Sequence, residues 1–224
     1  MINSTAYVME KIAYISDCKK IPKKNLFYLS NLNFLIIDCL KFEKHPSHLD
    51  FVSAMDLINF LKPKYICLTH GHIDHAGEAL KLSKALNLPI IGPHFDDKFL
   101  LDALEMQGNM YGIQAKVFSP SQWLKDNDSI NFGNESLRVS HCPGHTPGHV
   151  IFINDKSKII IAGDVIFQGS IGRTDLPLGN HQDLINSIKK HVLTLEDDYL
   201  IYSGHGNVTN IGHERSTNPF LVDA

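Results

Sequence analysis

Long apolar runs, closely spaced cysteines and an excess of positive charge are all absent from this chain. No apolar run approaches the ~18 residues that a membrane span needs. The first residues also lack the charged start and apolar core of a signal peptide. The net charge is −3, so there is no electrostatic reason to expect binding to nucleic acid. Together these absences argue against a membrane, secreted or nucleic-acid-binding protein, and we expect a cytoplasmic one.

Cysteine is scarce: the chain has four cysteines among 224 residues, and no two of them have C-x-x-C spacing. Cys39 and Cys67 lie in or beside apolar runs, which is typical of reduced, buried thiols in a cytosolic protein. Cys142 lies close in sequence to several histidines. It is therefore either a packing residue or a reactive thiol near a functional site.

Short apolar, β-branched runs alternate with segments of helical apolar spacing. The pattern predicts strands at residues 7–15, 26–29, 34–37, 65–68, 89–91, 137–139, 150–153, 159–161 and 200–202. It predicts helices at residues 51–61, 78–86, 97–106 and 182–193. Strands followed by helices occur twice along the chain, which suggests two sheets packed face to face with helices on the outside. The chain has no clear internal repeat and no linker rich in proline, glycine or serine, so we predict one domain over residues 1–224.

The segment His70-Gly71-His72-Ile73-Asp74-His75 carries four potential metal ligands within six positions. In an extended segment, side chains two positions apart share a face. We therefore expect His70, His72 and Asp74 to point the same way, with His75 at the turn. Imidazole and carboxylate ligands together suit zinc, iron or manganese. The alternative is a polar loop in which the histidines are incidental.

Three later segments add one potential ligand each, in a glycine-containing turn beside an apolar run. These ligands are His145 in Cys142-Pro143-Gly144-His145-Thr146-Pro147-Gly148-His149, Asp164 in Ala162-Gly163-Asp164-Val165, and His205 in Ser203-Gly204-His205-Gly206. Glycine lets the backbone turn sharply, so that a side chain can project from a strand end into a shared cleft. Each pair alone is a weak signal because aspartate and glycine are common in turns. In this order, and with the first segment, the set predicts a metal site.

These segments, together with Gly172-Arg173-Thr174-Asp175, resemble those of the metallo-β-lactamase-fold hydrolases. Within that family the chain is most similar to the small bacterial glyoxalase II-like (hydroxyacylglutathione hydrolase) branch. The resemblance covers residues 69–206. It implies an α+β or α/β fold, a four-layer αββα sandwich with its ligands on loops along one edge. Only 19 residues follow His205, so we expect no C-terminal helical extension of the kind that longer glyoxalase II enzymes carry.

The resemblance also implies two divalent metal ions, with zinc expected first and iron or manganese as alternatives. It gives His70, His72 and His145 to one metal, Asp74, His75 and His205 to the other, and Asp164 to both as a bridge. A bridging carboxylate can hold two cations ~3.5–4 Å apart, and a water shared by them would ionise near neutral pH. Asp74 has two further interpretations, as the residue that orients the bridging hydroxide or as the N-cap of a helix over residues 76–86. Asp164 could instead be an ordinary turn residue.

The implied reaction is hydrolysis of a small-molecule thioester such as S-lactoylglutathione or a related glutathione thioester. The bridging hydroxide would attack the acyl carbonyl, with Asp74 and Asp164 as catalytic residues. A thiol has a pKa of roughly 8.5, so the thiolate leaves without a strong general acid. Arg173 either binds a substrate carboxylate through its forked donors or pairs locally with Asp175. We expect neither nucleic acid nor membrane as a partner.

Two other functions remain open. The first is a persulfide dioxygenase of the same fold, with one iron held by His70, His145 and Asp164. The second set of ligands, Asp74, His75 and His205, is intact and favours the dinuclear hydrolase over the dioxygenase. The second is a metal-binding module without catalysis. His141 and His149 flank His145 and either support the site through hydrogen bonds or pack locally. One departure from the family is Asp38-Cys39-Leu40, where members often have Asp-Pro-Gly, which leaves the shape of one loop at the site's edge open.

Overall fold

The computed structural model describes residues 63–132 and 135–222, and three backbone strands nearer the start of the chain. The strands are β1 (Ala6–Met9), β2 (Ile12–Ile15), β3 (Phe34–Ile37), β4 (Ile66–Cys67), β5 (Ile90–Ile91), β6 (Ser129–Phe132), β7 (Glu135–His141), β8 (Val150–Asn154), β9 (Ile159–Gly163), β10 (Ile166–Phe167), β11 (Ser170–Ile171), β12 (Leu200–Ser203) and β13 (Thr209–Asn210). The α-helices are α1 (Ile73–Ala76), α2 (Ala79–Leu86), α3 (Lys98–Asp102), α4 (Leu104–Tyr111), α5 (His181–His191) and α6 (Ile211–Thr217), and a 3₁₀ turn spans Phe95–Asp97.

Three of the sequence-based expectations lie outside the described residues. They are the strand at residues 26–29, the helix at residues 51–61 and the loop Asp38-Cys39-Leu40. Within the described residues, no helix is long and apolar enough to cross a lipid bilayer.

The chain comprises two compact units. The first contains Met1–Cys67, His72–Ile91 and Leu101–Ser121, and the second contains Leu68–Gly71, Gly92–Leu100 and Gln122–Ala224. A division into compact units does not by itself make two domains, so the single domain over residues 1–224 stays a prediction.

The first unit contains two small sheets. In one, β1 and β2 are antiparallel and β3 runs parallel to β2. The predicted strand over residues 7–15 is therefore two paired strands, since Met9 lies opposite Ile12. In the sequence the charged residues Glu10 and Lys11 stand between the two apolar runs, and the prediction of a single strand overlooked this break. The other sheet is the parallel pair β4 and β5.

The second unit is built on a six-stranded sheet in the order β13-β12-β9-β8-β7-β6. Every residue of the central strands β8 and β9 is buried, which shows that both faces of these strands are covered. Helix α5 packs Leu184, Ile185 and Ile188 into the core that these strands form. Its first turn is capped by Asn180, whose side-chain oxygen accepts a hydrogen bond from the Asp183 N–H at 3.1 Å.

Strand direction places the functional loops of the second unit at one edge of the sheet. Strands β7 and β9 are both antiparallel to β8, and β12 is parallel to β9. The carboxyl ends of β7, β9 and β12 therefore meet at the same edge, where the chain continues into the loop of His145, into Asp164 and into His205. The Val150 N–H at the start of β8 donates to the Thr69 carbonyl at 2.8 Å, which holds His70 at that edge.

The helix predicted at residues 97–106 is interrupted in the structure. Residues 95–97 form a 3₁₀ turn, α3 follows, and Ala103 (φ −94°, ψ 4°) separates α3 from α4. Leu100, Leu101 and Leu104 are all buried, so the apolar spacing continues across the break and does not reveal it. The sequence pattern also missed β6, β10, β11, β13, α1 and α6. Most of these are too short to carry a hydrophobic period.

Candidate metal centre

Asp164 follows β9 through a glycine that the local geometry requires. Gly163 has a φ of +48°, in the left-handed region. A Cβ at this position would lie 2.7 Å from His149 ring atoms and 2.8 Å from the Thr69 hydroxyl. The Asp164 N–H donates to Nε2 of His149 at 3.0 Å. The turn thus fixes a buried carboxylate among histidines, and the role of Asp164 as a metal ligand stays a prediction.

One oxygen of Asp164 faces two imidazoles. Oδ2 lies 3.6 Å from Nε2 of His145 and 3.6 Å from Nε2 of His205. This separation is too long for a hydrogen bond. It is close to the roughly 3.3–3.6 Å that separates two ligand atoms of a tetrahedral zinc site with bonds of 2.0–2.2 Å. The geometry therefore fits a carboxylate oxygen that shares a cation with each imidazole.

His145 presents the correct nitrogen for such a role. Its Nδ1 lies 2.8 Å from the Arg173 carbonyl oxygen. Because a carbonyl can only accept, Nδ1–H donates and the lone pair of the neutral ring is on Nε2, the atom that faces Asp164. Histidines that bind metals commonly donate their second ring N–H in this way. Because residue 172 is a glycine, the segment before Arg173 can pass close to Asp164. A Cβ at this position would lie 2.0 Å from the Asp164 carbonyl oxygen.

His70 and His149 complete the buried part of the cluster. Their rings stack with centroids 4.6 Å apart, and the His70 ring meets that of His145 edge-on at 5.0 Å. His70, His145 and His149 are all buried. His149 contacts the backbone of Asp164, as expected of a residue that supports the site. Nitrogen and oxygen donors in this combination suit zinc, iron or manganese.

His205 is the open side of the cluster. The Gly204 N–H donates to the Gly163 carbonyl at 2.7 Å, which ties the end of β12 to the end of β9. The His205 side chain is 56% exposed, whereas that of Asp164 is 10% exposed. The cluster is therefore exposed to solvent at His205.

The other three predicted ligands belong to the first unit. His72 precedes α1 with extended backbone (φ −67°, ψ 155°), and Asp74 and His75 lie within α1. The expected extended segment is therefore wrong for Asp74, because the helix begins at Ile73. Asp74 does not cap a helix over residues 76–86 either, since α2 begins later and is preceded by Glu78. Asp74 and His75 are neighbours, with Oδ2 and Nε2 3.6 Å apart.

Asp97 supports the loops that carry the predicted ligands, and it was not predicted from the sequence. It is fully buried. Its Oδ2 accepts from the Gly71 N–H at 2.9 Å and from the Thr146 hydroxyl at 2.8 Å, and its Oδ1 accepts from the Gly148 N–H at 2.6 Å. Burial raises the pKa of Asp97 to about 6, against the lowering effect of these hydrogen bonds. Its partners lie 26, 49 and 51 positions away, so no local sequence pattern reveals them.

Arg173 forms the local pair that was one of its two interpretations. Its Nε and Nη2 lie 2.7 Å from the two carboxylate oxygens of Asp175. The hydrogen bonds from Arg173 lower the pKa of Asp175 to about 2. Both side chains are mostly exposed, so the guanidinium is accessible, and its role in substrate binding stays a prediction.

Two residues near His145 have structural roles. Cys142 is fully buried in the core, and burial raises the pKa of its thiol. A buried thiol that stays protonated is a poor nucleophile, which favours the packing interpretation. Nε2–H of His141 donates to the Pro147 carbonyl at 2.7 Å and so holds the loop that carries His145.

Comparison with known proteins agrees with this geometry. The family model of the metallo-β-lactamase superfamily matches residues 58–205. Hydroxyacylglutathione hydrolase GloC of Haemophilus influenzae is 42% identical over 163 residues, which cover 72% of this chain and 77% of that protein. The structure of TTHA1623 in a di-iron-bound form is 29% identical with a TM-score of 0.70, and the match covers 97% of this chain and 95% of that one. The BLEG-1 B3 metallo-β-lactamase is 31% identical with a TM-score of 0.69, and covers 96% and 92%.

These matches confirm the predicted fold class, of mixed helices and strands with a large central sheet. They also confirm the resemblance to the hydroxyacylglutathione hydrolase branch. Proteins of this family bind metal ions and are usually hydrolases, in agreement with the His and Asp cluster around Asp164. The chain belongs to the metallo-β-lactamase superfamily.

Proposed function

We propose that this chain is a thioester hydrolase that depends on two divalent metal ions and acts on S-lactoylglutathione or related glutathione thioesters. The observation that carries the proposal is the position of Asp164 Oδ2, 3.6 Å from Nε2 of both His145 and His205. One oxygen that faces two imidazoles is suited to bridge two cations. The similarity to a hydroxyacylglutathione hydrolase supports the substrate class.

The proposed ligands divide into two sets that share Asp164. His70, His72 and His145 would hold one metal, and Asp74, His75 and His205 would hold the other. When bound, the metals would supply Lewis acidity and a water that ionises near neutral pH. Zinc is the first expectation. Iron or manganese would also suit these donors, and the di-iron form of TTHA1623 supports iron as the alternative.

The residues of the chain orient this donor set and leave it accessible. The Arg173 carbonyl fixes the tautomer of His145, and His149 holds the backbone of Asp164. Asp97 fixes the backbone on either side of the buried histidines. Such supporting contacts orient ligands and raise affinity for metal. Asp74 is proposed to orient the attacking oxygen by accepting its hydrogen bond.

Arg173 is proposed to bind a carboxylate of the substrate. Glutathione thioesters carry carboxylates, and the Arg173 fork already binds the carboxylate of Asp175 in bidentate geometry. A substrate carboxylate would take the place of Asp175. Because this pair is exposed, the exchange costs little. The Arg173 carbonyl would continue to hold His145 during the exchange.

The test is metal content per chain, combined with hydrolysis of S-lactoylglutathione, on protein purified without added metal. We expect nearly two metal ions per chain and loss of the thioester. A single iron, no hydrolysis and oxygen uptake with glutathione persulfide would overturn the proposal in favour of a mononuclear dioxygenase. Bound metal with neither reaction would favour a binding module.

The matched variants are Asp164→Ala and Asp198→Asn. Loss of the bridging carboxylate should lower kcat/KM at least about 10²–10³-fold, while urea unfolding shows that the protein still folds. Asp198 pairs with Lys158 at the surface, so its substitution should leave kcat/KM unchanged. An Asp164→Ala protein with ordinary activity would rule out the dinuclear mechanism.

A further inference from the structure

A second group of potential metal ligands lies in the second unit, outside the proposed centre. His94 precedes the 3₁₀ turn, Asp96 lies on it, and His141 ends β7. One potential ligand atom from each of these residues lies within 4.8 Å of the other two. Two separate elements of the fold therefore converge on one point. The three residues are called the surface triad below.

The two imidazoles of the surface triad are stacked. Their ring centroids are 4.0 Å apart and their planes are 18° apart. Two protonated rings at this distance would repel each other by roughly 1–4 kcal/mol. A neutral imidazole instead keeps the lone pair that binds a metal.

A hydrogen bond determines which nitrogen of His141 is available. Its Nε2 lies 2.7 Å from the Pro147 carbonyl oxygen. Because the carbonyl only accepts, Nε2–H donates and the lone pair of the neutral ring is on Nδ1. His145 has the same type of contact, from a ring N–H to the Arg173 carbonyl. This contact is the usual support of a histidine that binds metal.

Asp96 adds a charge that a cation would satisfy. Nδ1 of His94 accepts a long hydrogen bond of 3.3 Å from the Asp96 N–H, so this nitrogen carries the lone pair of the ring, and a cation would displace that N–H in order to bind it. The carboxylate Oδ2 of Asp96 lies only 3.2 Å from the same nitrogen. A lone pair and a carboxylate oxygen repel each other at this distance. A bound cation would convert that repulsion into attraction, partly offset by the positive charge of nearby Lys125.

We propose that His94, Asp96 and His141 bind a divalent transition-metal ion, with water in its remaining positions. Two imidazoles and one carboxylate suit zinc, nickel or copper and do not suit magnesium or calcium. Asp96 is 52% exposed and His94 is 23% exposed, so this ion exchanges with solvent. The site is independent of the proposed hydrolase activity.

The surface triad is joined to the loop that carries His145. The His94 N–H donates to the Gly148 carbonyl at 3.0 Å, and Asp96 directly precedes Asp97, which accepts from the Gly148 N–H. His141 holds Pro147. A metal bound by the surface triad therefore restrains residues 147–148 of that loop from two sides.

The test is a zinc titration of the full-length metal-loaded protein in competition with a chromophoric chelator. The compared proteins are the wild type, His94→Ala, Asp96→Ala and the control His181→Ala, whose residue begins α5 and is exposed. We expect the wild type and His181→Ala to bind one more zinc equivalent than the metal-loaded state. In His94→Ala and Asp96→Ala, the affinity for this equivalent should fall at least about tenfold.

The readout is the difference between proteins in bound zinc, so it does not depend on how many metals the proposed centre holds or on activity. An extra equivalent that persists unchanged in both His94→Ala and Asp96→Ala overturns the proposal. The absence of an extra equivalent in the wild type overturns it as well. Urea unfolding of each variant confirms that the comparison is made between folded proteins.

Discussion

Two carboxylates of the second unit, Asp97 and Glu214, are equally buried but hold different parts of the fold. Both are fully buried, and both accept from two kinds of donor, backbone N–H and side chain. Glu214 accepts from the Gly169 N–H at 2.9 Å, the Thr209 hydroxyl at 2.5 Å and the Asn218 amide at 2.8 Å. The donors to Asp97 are instead next in sequence to His70, His145 and His149.

The difference shows how a supporting residue of the site can be recognised. Glu214 joins the β10–β11 hairpin, β13 and α6, none of which carries a proposed ligand. Asp97 joins the segments before and after the buried histidines. Burial and hydrogen bonding are the same in the two cases, so neither identifies a functional role. What distinguishes Asp97 is the position of its donors in the chain.

The largest expected effect is a loss of stability, and we expect it when either of the two carboxylates is replaced. Asp97→Ala and Glu214→Ala each leave several buried donors without an acceptor, at about 1–3 kcal/mol per group. We expect each substitution to lower the free energy of unfolding by at least about 3 kcal/mol, measured by urea denaturation. If the free energy of unfolding of either variant lies within about 1 kcal/mol of the wild-type value, the two carboxylates do not stabilise the fold to the same extent.

The next effect is a pH dependence of the free energy of unfolding that arises from Asp97. Burial raises the pKa of Asp97 from 3.8 to about 6, so the folded state binds its proton more tightly than the unfolded state. Its contribution to stability is present below pH 3.8 and is lost as the pH rises through 6. About two pKa units correspond to up to about 3 kcal/mol.

Asp97→Asn removes this titration. The unfolding free energy of the wild type, relative to that of Asp97→Asn, should therefore fall as the pH rises from 4 to 7. Urea unfolding of both proteins across this range measures the difference. A constant difference between wild type and Asp97→Asn would show that Asp97 keeps an ordinary pKa.

The smallest effect separates the two carboxylates most clearly. Asp97→Asn and Glu214→Gln keep the size of the side chain and replace one acceptor with a donor. Because Asp97 orients the backbone beside the proposed ligands, we expect the affinity for metal to fall about 10–100-fold in Asp97→Asn and to stay unchanged in Glu214→Gln. Chelator competition measures both. Equal losses in the two variants would mean that general loosening of the fold, and not the position of the donors, weakens the site.

The sequence indicated the clustered His and Asp donors better than it indicated the residues that support them. His70, His145, Asp164 and His205 were predictable because each stands in a glycine-containing turn beside an apolar run, and the strand directions bring them to one edge. Asp97 was not predictable, since its contacts are to backbone groups far away in sequence. The two interpretations of Arg173 could not be separated either, because the choice depends on side-chain geometry.

The local conformation of the backbone was the hardest feature to predict from the sequence. Alternation placed Asp74 on an extended segment with His70 and His72, but the chain enters α1 at Ile73. A short helix of four residues leaves no period in the sequence. The break at Ala103 was missed for a related reason, because the buried leucines on either side continue the helical spacing. Fold class depends on the pattern of the whole chain, which tolerates such local errors.

The parallel pairing of β9 with β12 has a consequence for when the centre can form. Ile159 lies opposite Leu200 in this pair, so the strands that carry Asp164 and His205 meet only after a loop of about 40 residues has closed. Contacts between such distant segments form slowly during folding. The donors around Asp164 therefore come together only once this long-range pairing is complete. We therefore expect a metal to bind at this centre after the sheet has formed and to stabilise it by mass action.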